Sequence, residues 1–241
     1  MKTESSQWNN NTAFLLAATG SAVGLGNIWG FPYKAGENGG GLFVLLYIFF
    51  VITLGLPVFM AEVFIGKKGK SNPVSSIESL ATKSNSSKSW NIVGYGGILA
   101  SLIIAGYYAV IAGFVLNYGF LTASGVEEGA AQALWTDQQS QFGDMTMWTV
   151  IFIVASCYVV ANGIDAGIDK AMRFLITMLF ILVIAMVIYG AVAGDFTKGV
   201  SYLFSWKSDD FSAATVQAAI GQAFFSLSIG MGTLMAFGSY M

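Results

Sequence analysis

Thr19-Gly20-Ser21-Ala22-Val23-Gly24-Leu25-Gly26-Asn27 lies in the middle of an apolar run over residues 13–33. A helix crossing lipid satisfies all its backbone polar groups internally, and three glycines in so short a stretch work against that. Pro32 follows near the outer end of the run. A second apolar run, residues 214–240, carries a matching interruption, Ser226-Leu227-Ser228-Ile229-Gly230-Met231-Gly232. For either segment alone, small residues that let helices pack closely are an equally good explanation. The pair says more. Five crossings separate the two interruptions, and an odd number inverts the second copy relative to the first. Glycine-interrupted segments at corresponding places in two inverted halves point to a ligand site near the bilayer midplane. There the positive end of a half-helix suits a carboxylate, and unwound carbonyls suit a small cation.

Working outward, the chain has six stretches that are long enough, or nearly so, to span a bilayer, which takes about 20 apolar residues each. They are residues 13–33, 41–65, 92–123, 145–161, 171–192 and 214–240. The third reaches about 48 Å at 1.5 Å per residue, so it should tilt or project from the membrane. Polar segments rich in Ser, Asn, Lys and Gly separate them, as loops should.

Charge alternates from one side to the other. The amino terminus and loops 66–91 and 162–173 carry Lys2, Lys67, Lys68, Lys70, Lys83, Lys88, Lys170 and Arg173. The opposite side carries Lys34, Lys198 and Lys207. The positive-inside rule therefore predicts a cytoplasmic amino terminus. Glu127, Glu128, Asp137, Asp144, Asp195, Asp209 and Asp210 make the outer loops acidic, which has little bearing on topology.

Composition agrees. Apolar residues make up 55% of the 241 and charged residues 10%, against roughly a quarter charged in soluble domains. Mean hydropathy is +0.67. A net charge of -2 with no basic stripe gives no reason to expect nucleic acid. The chain has no histidine, which excludes histidine-ligated metals and histidine acid/base catalysis. Its one cysteine, Cys157, lies in an apolar run and rules out an internal disulfide. No cleavable signal pattern opens the sequence. Glu62 is the one carboxylate inside a predicted crossing; it should face the interior, as a hydrogen-bonded structural group or as a functional one.

These residues also carry a resemblance. Ser21 to Trp29, then Phe31-Pro32-Tyr33 and Glu37-Asn38-Gly39-Gly40-Gly41, resemble the first-helix signature of the neurotransmitter:sodium symporter family. Pro57, Glu62, Tyr107-Tyr108 and Gly221-Gln222-Ala223-Phe224-Phe225-Ser226-Leu227-Ser228 extend the similarity from Trp8 to the last residue. The broken-helix reasoning above is itself drawn from this family, so the two readings are not independent.

The resemblance, to a bacterial sodium-dependent amino-acid transporter in particular, implies an all-α polytopic membrane protein. It would hold the first five-helix inverted repeat plus the sixth helix, with helices 1 and 6 discontinuous. Residues 1–241 form a single membrane domain on this expectation, with 1–195 the first repeat and 211–241 the start of the second. The implied function is sodium-coupled secondary transport of an amino acid by alternating access, not an enzymatic reaction. One sodium ion would take Ala22, Asn27 and Ser226, and a second Gly20 and Val23. Ser21, Ala22, Leu25, Gly26, Tyr108, Phe225 and Ser226 would hold the amino-acid backbone, with Phe225 as an outer lid. Ile104, Ser228 and Met231 would shape the side-chain pocket. Met231 is adaptable, which favours a hydrophobic or aromatic substrate. Tyr47, Gln222 and Ser226 match positions around a chloride site.

Two departures bear on gating. Gly30 and Ser5 stand where the family usually has arginines of its outer and inner gates, so neither pair can form in its usual way. The family has eleven or twelve crossings, and this sequence reaches the sixth. Ligands expected from later crossings are absent, and the chain alone is not expected to transport. It would need a second half or a full-length homologue as partner. Two other classes stay open: a truncated non-transporting membrane interaction protein that pairs with such a homologue, and a channel subunit, for which no ring-lining repeat is present. The expected location is the cell membrane, with lipid around every crossing.

Overall fold

The computed structural model describes residue 8 and residues 11–123, 125–126, 129–207 and 211–241. Lys2, Ser5, Glu127, Glu128, Asp209 and Asp210 lie outside these. Helix is the regular structure of the described residues, and their only bridge between extended segments pairs Gly40 with Trp206. In chain order the α-helices are α1 (Asn11–Ala22), α2 (Phe31–Glu37), α3 (Gly41–Phe50), α4 (Leu56–Gly69), α5 (Pro73–Lys83) and α6 (Asn91–Thr122). They continue as α7 (Ala131–Ser140), α8 (Phe142–Ala161), α9 (Lys170–Ala193), α10 (Phe196–Phe204), α11 (Ala213–Leu227) and α12 (Thr233–Ser239). A π turn at Val51–Gly55 joins α3 to α4, so Gly41–Gly69 makes one span.

Among the described residues, four helices are long and apolar enough to cross a membrane: Gly41–Gly69, Lys88–Thr122, Phe142–Ala161 and Gly167–Ala193. The pair Thr12–Ala22 and Gly26–Glu37, bent by 54°, makes a fifth if counted as one span. The expected sixth crossing is split into α11 and α12, each too short to span alone. Large apolar side chains cover the outside, with Leu102, Ile181, Val154 and Val192 all exposed. Helix α8 buries none of its residues. In water such a surface would aggregate; hydrocarbon is the solvent it matches. The chain is a multi-pass membrane protein.

Three segments read as polar loops contain short helices instead. Asn72 caps α5, its side chain accepting from the Ser75 N–H at 2.9 Å, and Pro73 stands where a missing N–H does no harm. Asp195 caps α10 through the Lys198 N–H at 3.0 Å. Backbone and ammonium of Lys198 together hold the exposed Asp195 carboxyl below the usual carboxylate range. Between crossings three and four, α7 forms and Asp144 falls in the first turn of α8.

The chain divides into two compact units, residues 1–98 with 169–241, and residues 99–168. In the second unit, Trp135 of α7 packs on Phe114 at 4.2 Å between ring centroids, and buried Gln138 donates to the Phe114 carbonyl at 2.8 Å. In the first unit, α12 lies flat on α4. A methyl group at Gly66 would fall 1.9 Å from the Met235 carbonyl oxygen, so the two backbones touch there. Ala18, Ile229 and Leu234 form one buried cluster beside this contact; Ala35, Phe43 and Ala219 form another. The second is closed by the Gly39-Gly40-Gly41 turn. Gly40 has φ +59, and a Cβ there would lie 2.3 Å from the Ser205 carbonyl oxygen, so no other residue fits.

Candidate functional site

Helix α1 stops at Ala22. The Val23 N–H still reaches the Thr19 carbonyl at 2.9 Å, and beyond it the regular pattern fails. The Gly24 carbonyl accepts from both Asn27 and Ile28, at 3.0 and 3.1 Å, and the chain runs through a π turn, Gly26–Gly30, into α2. The second interruption has a different cause. After Leu227 the backbone turns left-handed at Ser228 (φ 52), Gly230 (φ 81) and Gly232 (φ 74), and α12 starts at Thr233. Neither glycine-bearing segment is a continuous rod.

The two breaks meet. Ser228 Oγ donates to the Ser21 carbonyl at 2.6 Å. Ser226 Oγ donates to Asn27 Oδ1 at 2.9 Å, and Asn27 Nδ2 donates to the Ala22 carbonyl at 2.5 Å. Gln222, buried, donates from Nε2 to the Gly26 carbonyl and to Ser226 Oγ, both at 3.2 Å. The Phe225 ring lies directly on Gly26, where an added Cβ would stand 2.0 Å from a ring carbon. Gly97 of α6 abuts the backbone of Gly230 to Gly232, with Met231 between them.

Glu62 of α4 braces the second break. It is 3% exposed, and its Oε1 accepts from the Gly230 N–H at 2.5 Å. Its Oε2 is buried and has no hydrogen-bond partner. The carboxyl satisfies an N–H that the helix break leaves without an intrahelical partner.

The expected residues thus fall into groups. Ser21, Ala22, Leu25, Gly26, Asn27, Phe225, Ser226, Ser228 and Met231 all lie on the two breaks or the turns flanking them. Gly20, on the last turn of α1, faces Met172 and Ile176 of α9, and Val23 is the first residue beyond α1. Gln222 and Ser226 are bonded to each other, whereas Tyr47 packs its ring on Phe31 at 4.8 Å. Among the described residues no hydrogen bond joins the Tyr47 hydroxyl to that pair. Ile104 and Tyr108, half-buried, stand on the part of α6 that belongs to the second unit. A Cβ at Gly30 would meet nothing within 4 Å. Sequence reasoning missed Lys34, whose Nζ donates to Gln222 Oε1 at 2.9 Å. The sequence marks it only as an outer charge, although it stands one turn beyond Gly30.

Oxygens from a carbonyl, an amide and a hydroxyl converge at the junction, which is chemistry for a small hard cation and not for covalent catalysis. Fold and site together define a polytopic membrane protein built around two broken helices. The model of the sodium:neurotransmitter symporter family matches residues 5–139 and 131–241, and the chain belongs to that family, one of transporters and not of enzymes. It is 33% identical over 239 residues to the uncharacterized sodium-dependent transporter YhdH of Bacillus subtilis, covering 98% of this chain and 52% of that protein. It is 30% identical over 268 residues to the human inactive sodium-dependent neutral amino acid transporter B(0)AT3, covering 98% of this chain and 42% of the other. The crystal structure of MhsT in complex with L-phenylalanine superposes with a TM-score of 0.87 at 38% identity, over 98% of this chain and 54% of MhsT. The chain spans about half the length of the curated relatives it matches.

Proposed function

We propose that this chain supplies the cation- and substrate-holding part of a sodium-coupled transporter for an amino acid with a hydrophobic or aromatic side chain, working by alternating access. One observation carries the reading: the Ala22 carbonyl, the Asn27 side-chain amide and Ser226 Oγ are linked by hydrogen bonds across two helix breaks. Such oxygens replace the water around Na⁺ without chemical change, and the ends of half-helices present further carbonyls and amides. Gly20 and Val23 are the carbonyls proposed for a second sodium ion.

The substrate's zwitterion has a natural seat at the same breaks, on Ser21, Leu25 and Gly26, with Phe225 covering Gly26 and Ser228 and Met231 toward its side chain. For Tyr108 and Ile104 the proposal rests on the resemblance alone. The L-phenylalanine held by MhsT supports an aromatic or large apolar guest. Chloride at Tyr47, Gln222 and Ser226 is a further part of the proposal. The protein would sit in the cell membrane with its amino terminus in the cytoplasm. Residues 1–195 would act as the first repeat and 211–241 as the opening of an inverted second.

The test is uptake of labelled amino acid into vesicles holding the complete polypeptide that the gene encodes, under an inward sodium gradient. Uptake should vanish when potassium replaces sodium, and tryptophan or phenylalanine should compete better than glycine. Uptake indifferent to sodium would overturn the coupling; equal competition by glycine would overturn the substrate class.

A further inference from the structure

The hydrogen bonds at the junction all point one way, and two groups set their direction: the Lys34 ammonium, and the Gly26 carbonyl that accepts from Gln222 Nε2 at 3.2 Å. An ammonium group only donates, so the Gln222 atom facing Lys34 Nζ at 2.9 Å has to be the amide oxygen. The Gln222 nitrogen then faces Ser226 Oγ at 3.2 Å and only donates to it. The Ser226 proton is thereby sent to Asn27 Oδ1 at 2.9 Å, and Asn27 Nδ2 turns to the Ala22 carbonyl at 2.5 Å. Among the described residues no carboxylate pairs with Lys34, and its ammonium faces this relay. Aligned hydrogen bonds of this kind strengthen one another where water is scarce, and Gln222 and Ser226 are both buried.

The consequence falls on the oxygens assigned above to sodium. Asn27 Oδ1 accepts a proton from Ser226, the Ala22 carbonyl accepts one from Asn27, and Ser226 Oγ accepts one from Gln222. A cation arriving there competes with the relay for the same lone pairs, and it also meets the field of the ammonium. We propose that Lys34 weakens cation binding at this junction: its ammonium sets an opposing positive field beside the ligand oxygens and, together with the Gly26 carbonyl, holds Gln222 in the orientation that keeps those oxygens satisfied without an ion. Without the ammonium, the Gln222 nitrogen stays on the Gly26 carbonyl, which only accepts, but the positive field that opposes an arriving cation is gone. The proposal rests on the cation reading of the junction and adds to it a built-in competitor outside the ligand set.

The experiment is equilibrium binding of radioactive sodium to the purified complete polypeptide in lipid nanodiscs, comparing Lys34→Met, Lys34→Gln and Lys34→Arg with the unaltered protein. A unit charge a few hydrogen bonds from the cation, at an effective dielectric of about 20, changes affinity roughly tenfold, so the Met and Gln variants should bind sodium about tenfold more tightly. Lys34→Arg keeps the charge and should stay close to the unaltered protein. Melting temperature in sodium against potassium gives a second readout, with a larger sodium-dependent rise in the neutral variants. A residue that merely braced the fold would move affinity the other way. If the unaltered protein binds sodium and the neutral variants bind it equally or more weakly, the role of Lys34 is overturned and the cation site stands. If none of the four binds sodium, both proposals fall together.

Discussion

At Gly26 the reason for a glycine is spatial. The Phe225 ring occupies the volume a methyl group would need, with a ring carbon 2.0 Å from an ideal Cβ. Gly26→Ala should push that ring off the junction and destabilise the protein by about 1–3 kcal/mol, the usual range for overpacking. Adding Phe225→Ala should restore much of the stability, and a thermal melt of the single and double variants checks this. Glu62 makes a different kind of contact. Glu62→Gln keeps an acceptor oxygen for the Gly230 N–H and should melt close to the unaltered protein. Glu62→Ala leaves that buried donor unmet, at a cost of about 1–3 kcal/mol. Equal melting of the Gln and Ala variants would show that the contact does not brace the break. Glycine at 26 and the acid at 62 could be marked from the sequence as unusual for lipid. The ring on one and the amide against the other could not, since their partners come from 199 and 168 residues further along the chain.

At the scale of elements, the two breaks differ in origin. The first is a loss of hydrogen-bond register, with Gly30 still in right-handed helical geometry at φ -68 and ψ -39. The second is a chain reversal into left-handed conformations at residues 228, 230 and 232. A paired substitution separates them. Both Gly30 and Gly230 have open space where a Cβ would go, so alanine tests backbone conformation alone. Gly30→Ala should stabilise by about 0.5–1 kcal/mol because the helix loses less entropy on forming. Gly230→Ala should destabilise by about 1 kcal/mol or more, since an L side chain is strained at φ 81. Melting curves in detergent distinguish the signs. The existence of both interruptions was legible from glycine spacing, because glycine marks helix weakness wherever the solvent is hydrocarbon. The short helices α5, α7 and α10 were not legible in their polar segments. They depend on a local cap, or on a packing partner such as Phe114 for Trp135, and neither shows in hydropathy.

For the whole molecule, the lysine bias predicts which loops face the cytoplasm. With the exposed Cys157 replaced by serine, Lys68→Cys and Lys83→Cys should react with an impermeant thiol reagent only after the membrane is opened, whereas Lys198→Cys should react in intact cells. Labelling of Lys83→Cys in intact cells would reverse the orientation. Sequence alone was enough for the membrane solvent, the approximate crossings, the two interruptions and the family signature. Each of these is a property of a contiguous stretch, written in residue polarity and glycine spacing. Only the tertiary structure decided that the interruptions touch, that Gly230 leans on Glu62, and that Lys34 reaches Gln222. Those are pairings between residues 168 to 207 positions apart. No local propensity encodes them, because a hydrogen bond exists only once packing has brought its donor and acceptor to the same place.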